Sequence, residues 1–265
     1  MSSDPPEAEA ATLSRPSAAV TILGTMPHIF RINRITRPLL LAGAVLMATT
    51  IAFAQPSVPV SDEEVTEGDT SRPNVALVLN VGAGFEPGLP LLEALAERNQ
   101  KLTFFVMGWW AERHQDVLRA IADGGHEIAS HGHSVFDLRT VSDAAVREDL
   151  RAADSAISAV TGKSTKPLWS PSAGYRDARV RGIAAGEGYR PILWTLDSLD
   201  WTYEATEHSV YTRVMERTGN GTIVVMHFDS PTTLNSTARA LPRIINDLRA
   251  NGFKIMTITE LLTAS

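Results

Sequence analysis

An irregular (β/α)7 barrel of the α/β class is what this sequence predicts, and three observations predict it. From Val75 onward short apolar runs alternate with longer amphipathic stretches, at the roughly thirty residues per unit of stacked βα pairs. Several amphipathic stretches stop at a glycine, the residue that most readily takes the left-handed turn ending a helix. Polar and titratable residues gather at the C-terminal ends of the apolar runs, where a parallel barrel places its site.

In chain order, Arg31, Arg34 and Arg37 precede an uncharged run, Leu39 to Ala54, "LLLAGAVLMATTIAFA". It ends in the small-x-small pattern of a signal-peptidase site. Residues 1–38 therefore read as a cytoplasmic leader, shortened to normal length if translation begins at Met26, and residues 39–54 as a signal-peptide core or an N-terminal membrane anchor. The arginines hold the N-terminal side inside, so the remainder is expected to be secreted or membrane-anchored and extracytoplasmic. Residues 55–73, acidic and proline-bearing without sustained period, read as a linker. The domain proper is expected over 74–265.

Within it the apolar runs predict strands at Val75–Asn80, Leu102–Met107, His126–Ser130, Pro167–Ser170, Pro191–Thr195, Thr222–His227 and Phe253–Ile258. Between them "LPLLEALAERN", "WAERHQDVLRAIADGG", "SDAAVREDLRAADSAISAVTG" and "STARALPRIINDLRANG" predict helices. Parallel strands each backed by a helix fit a barrel better than an open sheet.

Composition removes whole classes of function. The formal charge is -6 and basic residues are scattered, so no stripe exists to neutralise the phosphates of nucleic acid. With no cysteine, disulfides, thiolate metal sites and cysteine nucleophiles are excluded. The glycines after the first strand, "VGAGFEPG", resemble a dinucleotide loop, but their spacing is wrong and prolines sit where the phosphate-binding helix would begin. No acid closes the second strand, "FFVMGWW", to bind a ribose.

The strand ends carry Asn80, "HEIASHGHSVFDL", "WSPSAGY", "WTLDSLDWT" and "VVMHFD". Together with "TFFVMG", "GTIVVMH" and the closing "ALPRIINDLRANGFKIMTITELL", these segments resemble, from about Val75 to Leu262, the NodB-homology polysaccharide deacetylases of carbohydrate esterase family four. The resemblance implies hydrolysis of N-acetyl groups on peptidoglycan or chitin-like glycan. It implies a base Asp and a metal-binding Asp in "TFDDG", two His ligands in H-x-x-x-H, a supporting Arg, a D-x-x-D-W-type segment and an acid His in L-x-H.

Carried across, "TFDDG" falls on Val78-Leu79-Asn80-Val81-Gly82. Asn80 holds the base position, where a neutral amide has no useful basicity, and Val81 holds a ligand position with no lone pair. His131 matches the first His ligand, Val135 falls at the second, and Ser170 at the Arg position. Asp200, Trp201 and His227 match the later motifs, so His227 and Asp200 are the expected catalytic pair. Val81 and Val135 are expected to pack together where the ion would sit.

One surviving ligand cannot hold zinc, since catalytic zinc takes three protein ligands. No cofactor is expected unless His133 or Glu86 rebuilds the site for a divalent zinc. A metal-free route would use Asp197 or Asp200 as base with His227 as acid. Trp201, Tyr175, Ser170 and the Trp109–Trp110 pair are expected to face substrate, the flat indoles as a sugar-stacking platform. His28, His114, His126 and His208 receive no role. The first-strand "NV" and the loop Ser170 to Gly174 also resemble a divergent branch found in sporulating bacteria. Two functions stay open, an envelope deacetylase-like hydrolase and a catalytically inactive glycan-binding or scaffolding pseudoenzyme.

Overall fold

The computed structural model describes residues 57–264; the expected leader and hydrophobic segment lie outside the described residues. Eight strands form one parallel sheet: β1 Asn74–Val81, β2 Thr103–Val106, β3 Glu127–Ser130, β4 Leu168–Trp169, β5 Arg190–Pro191, β6 Leu196–Asp197, β7 Ile223–His227 and β8 Lys254–Met256. Their order is β5-β4-β3-β2-β1-β7-β6, with β8 on β1. The sheet curls into an incomplete barrel of the expected (β/α)7 type, wrapped by helices.

Central β1 pairs with β2, β7 and β8. A strand flanked and covered on both faces must be apolar along its length, which the buried run Val75 to Leu79 satisfies, with Asn80 the one polar side chain at its C-terminal end. Alternation then sorts its side chains. Val75, Leu77, Leu79 and Val81 join the layer beneath the helices, while Ala76 and Val78 join the barrel interior with Val225 of β7. The same two-residue step places Asn80 after Val78 and His227 after Val225, both at the C-terminal mouth.

The helices are α1 Leu89–Glu97, α2 Gly108–Arg113, α3 Gln115–Asp123, α4 Asp143–Thr161, α5 Ala178–Gly186, α6 Glu207–Arg217, α7 Thr237–Ala250 and α8 Ile258–Thr263. Ser142 caps α4 by accepting from the Ala145 N–H, and Gly162 ends it at φ 71°. Reciprocal capping boxes open α6 at Thr206 and α8 at Thr257, so Ile258 starts a helix where a strand end was expected. The single helix expected over 110–125 is two, broken at His114, whose ring stacks on Trp110.

Two expectations fail for one reason. Of the predicted strand Pro191–Thr195 only Pro191 lies in a strand, β5, and β6 begins beyond it at Leu196, while the predicted linker packs against the domain from residue 57 onward. Val65 donates to the Pro191 carbonyl at 2.9 Å and accepts from Leu193 at 2.7 Å, while Gly68 donates to the Gly221 carbonyl at 2.8 Å. This strap bridges Ile192 and Thr222 and so takes the backbone partners that a continuous fifth strand would have used. Gly221 stands at φ 76°, and a Cβ there would lie 2.7 Å from the Gly68 carbonyl oxygen. Glu64 then ties the strap to Arg176 at 2.9 and 3.2 Å.

Candidate functional site

A cavity of about 470 Å³ opens at the C-terminal strand ends, lined among others by Asn80, His131, Tyr175, Trp194, Trp201 and His227. Its two imidazoles are held in different ways. On the β7 side, Asp200 is fully buried and accepts from the His227 backbone N–H and from Nδ1, both at 2.8 Å. The Thr237 hydroxyl donates to the same carboxylate. Because a carboxylate only accepts, Nδ1 of His227 carries a proton and Nε2 is left for the cavity. Burial opposes a charge on His227, but the bond and charge of Asp200, with Asp197 and Asp229, outweigh it and raise its pKa above the ordinary value.

The segment that delivers Asp200 is strained. Leu199 sits at φ 60°, a left-handed conformation costing about 1–2 kcal/mol in a residue with a side chain. Asp197 holds the turn, accepting from the Leu199 N–H at 2.8 Å and from the Trp201 indole at 3.2 Å. The result points Asp200 inward and leaves Trp201 48% exposed on the cavity wall. Of the two candidate bases of the metal-free route, Asp200 is sealed beneath His227, whereas Asp197 lines the cavity with each oxygen accepting one hydrogen bond of the turn.

On the β3 side, Nδ1 of His131 lies 2.8 Å from the Ser170 carbonyl. A carbonyl only accepts, so this ring also carries its proton on Nδ1. Burial drives its pKa down to about 4, and the charge on His227 acts in the same direction against the Ser170 bond. His131 is therefore a neutral ring at pH 7. Ser170 serves through its backbone; its side chain is buried and does not line the cavity as the substrate-facing role required.

The loop after His131 is set by Asp149 of α4, which accepts from the His133 and Ser134 N–H groups, each at 2.9 Å. Gly132 is at φ 80°, and a Cβ there would meet Asp149 Oδ2 at 2.7 Å. This clamp turns His133 toward Gly108, with its buried Nδ1 unpartnered, so His133 does not line the cavity beside His131. Glu86 is exposed and likewise outside the lining. The two valines do not pack together either: Val81 is buried in the layer beneath the helices, whereas Val135 is 70% exposed at the cavity rim.

Across the cavity, the loop Gly82–Gly84 is clamped by a second carboxylate. Fully buried Asp229 accepts from the N–H groups of Gly82 at 2.9 Å, Ala83 at 3.1 Å and Gly84 at 2.9 Å. Gly82 and Gly84 both have positive φ, which lets successive N–H groups converge on one anion. Beside this loop Asn80 is 4% exposed and its Oδ1 has no partner. The base position thus holds a nearly buried amide with an unpartnered oxygen.

Tyr175 and Trp201 line the cavity as expected, joined by Trp194, which sequence reasoning missed. The Trp109–Trp110 platform is not there. Trp110 is fully buried against His114 and Phe228. Trp109 packs on the core beneath Arg113, with its indole 3.3 Å from the Met107 sulfur, and neither ring lines the cavity. Asp149 and Asp229 also escaped sequence reading. Their one local sign is a carboxylate without an obvious partner, and the glycine loops they bind lie 15 to 147 positions away.

The donor set does not fit an ion. His131 offers one lone pair, Val81 and Val135 offer carbon, and among the described residues no group of three or more His, Cys, Asp or Glu stands together to hold a metal.

Fold and cavity together define a deacetylase-type barrel that keeps a His–Asp pair and an aromatic wall while departing at the ion. The chain belongs to the polysaccharide deacetylase family, the NodB-homology type of carbohydrate esterase family four; the family model for polysaccharide deacetylase matches residues 67–192. It is similar to a family-four pseudoenzyme from Bacillus anthracis, with 29% identity and a TM-score of 0.70 over 76% of this chain and 69% of that chain. It is 31% identical over 202 residues to the uncharacterized protein YlxY of Bacillus subtilis, covering 76% of this chain but 60% of that relative's length. It is 23% identical over 198 residues to a peptidoglycan-N-acetylglucosamine deacetylase of Bacillus cereus, covering 75% of this chain and 71% of the relative.

Proposed function

We propose that this protein is an exported, cell-envelope member of the family that binds N-acetylated glycan without hydrolysing it. One observation carries the reading: the positions that would hold the ion and the base are Val81, Val135 and Asn80, while the Asp200–His227 pair and the walls of Tyr175, Trp194 and Trp201 still frame an open cavity. Without an ion, and with Asn80 in place of the base Asp, the family's means of activating a water is missing. The aromatic faces suit the apolar faces of pyranose rings. Relatives named for action on peptidoglycan support a cell-wall glycan as the ligand, and the arginine-flanked apolar segment supports export, with membrane attachment if that segment is uncleaved.

The test is to titrate the full chain, in mild detergent, with N-acetylated chitooligosaccharides and peptidoglycan fragments while assaying acetate release with and without added zinc. Saturable binding with no acetate is expected. Acetate release that zinc stimulates and a chelator abolishes would instead establish the hydrolase.

A further inference from the structure

A family position that serves an ion, set in a site that cannot hold one, leaves His131 with a free nitrogen. The ring is 6% exposed and lines the cavity. Its Nδ1–H is committed to the Ser170 carbonyl at 2.8 Å, so Nε2 is an acceptor, and among the described residues no side chain or backbone group donates to it. A ligand that fills the cavity covers this acceptor and strips it of water, a desolvation cost that a donor on the ligand offsets.

The surroundings specify that donor. His227 shares the cavity and, in its charged form, presents Nε2–H as a donor, since Nδ1 is taken by Asp200. Met107 and Val225 add apolar lining. One acceptor, one donor and an apolar patch match the three parts of an acetamido group: N–H, carbonyl and methyl. An acetate ester lacks the N–H. A free amine lacks the carbonyl and the methyl.

Resting on the glycan-binding reading, we propose that His131 determines specificity: its Nε2 accepts the N–H of an acetamido group on the bound glycan, so the cavity selects N-acetylated sugars over O-acetylated and free amino sugars. The residue that elsewhere would serve an ion here reads the amide bond left intact. A site built to bond a ligand N–H rejects an analogue lacking it strongly, because the buried acceptor is then stranded.

The experiment is calorimetric titration of the full chain with three trisaccharides: triacetylchitotriose, the same trimer with acetate esters in place of the acetamido groups, and fully deacetylated chitotriose. The acetamido trimer is expected to bind at least about tenfold more tightly than either other trimer. His131→Asn keeps an amide N–H for the Ser170 carbonyl but has nothing at the Nε2 position. It should reduce affinity for the acetamido trimer to that for the ester. In the wild-type chain, the nitrogen NMR signal of His131 Nε2 should move with the acetamido trimer and stay still with the ester. Equal binding of ester and amide, or an unmoved Nε2 signal with the acetamido trimer bound, overturns the assignment and leaves the glycan-binding reading standing. Failure of all three trimers to bind removes both.

Discussion

The two walls of the cavity have fared differently. On the β6–β7 side Asp200, His227 and Thr237 form a fully bonded network around a buried carboxylate. On the β1–β3 side Asn80 has an unpartnered oxygen, Val81 has withdrawn into the core and Val135 stands in solvent. The first wall's interactions are satisfied within the protein, so they persist whether or not an ion is held. The second wall's side chains stand where only an ion would have bound them together, and once that demand is gone nothing local resists their replacement. Removing one partner of a closed buried network exposes its full desolvation cost, whereas changing an exposed loop residue costs little.

The sharpest way to break the comparison is Asp200→Ala. It strands the His227 imidazole, its backbone N–H and the Thr237 hydroxyl at once, so a loss of about 3–5 kcal/mol in urea unfolding is expected. A loss below about 1 kcal/mol would mean that the network does not hold this wall together.

The other wall has one closed network of its own, at Asp229, and it should respond next most strongly. Asp229→Ala frees three N–H groups of the Gly82–Gly84 loop and should cost about 2–3 kcal/mol, as bonds to a charged acceptor do. The loop should then exchange its amide hydrogens faster than β1 itself, which a hydrogen-exchange time course would show. Unchanged protection of Gly82 to Gly84 would show that the loop is held by other means.

A smaller, opposed pair of effects separates the two histidines in pH. His227 has a raised pKa, so its contribution to stability is complete below the unfolded value near 6.5 and is lost as pH rises through its folded value. His131 is depressed to about 4, so its contribution is complete above about 6.5 and falls away as pH drops from there toward 4. His126, lowered to about 4 by burial and by Lys101, acts with His131. A histidine NMR titration should therefore find His131 neutral and His227 more than half charged at pH 6.5. The reverse order would exchange the roles of the two walls.

Legibility divides along the same line. Strand β1, the glycine helix ends and the His–Asp–Trp positions were readable because each rests on periodicity or on a short local motif. The strap was not, because its composition is that of a linker and its pairing with Ile192 and Gly221 becomes visible only after the sheet has curled. Trp109 and Trp110 misled because adjacent indoles after a strand do not announce which side the following helix buries. Asp149 and Asp229 act on loops remote in sequence, so their roles follow from tertiary position alone.

The weakest perturbation tests why the β1–β3 wall departed. Val135→His, at a site 70% exposed, should change stability by no more than about 0.5 kcal/mol and should not create zinc binding, since two imidazoles fall short of the three ligands a zinc site needs. Adding Val81→Asp supplies the third by type, and calorimetry with zinc then asks a geometric question. Micromolar or tighter binding by the double variant would mean that the wall lost its ion through side-chain identity alone. No binding would mean that the loop held by Asp149 now carries position 135 away from His131, so that backbone shape diverged along with the side chains. The exposure of Val135, together with the turn of His133 toward Gly108 under the same clamp, favours the second outcome.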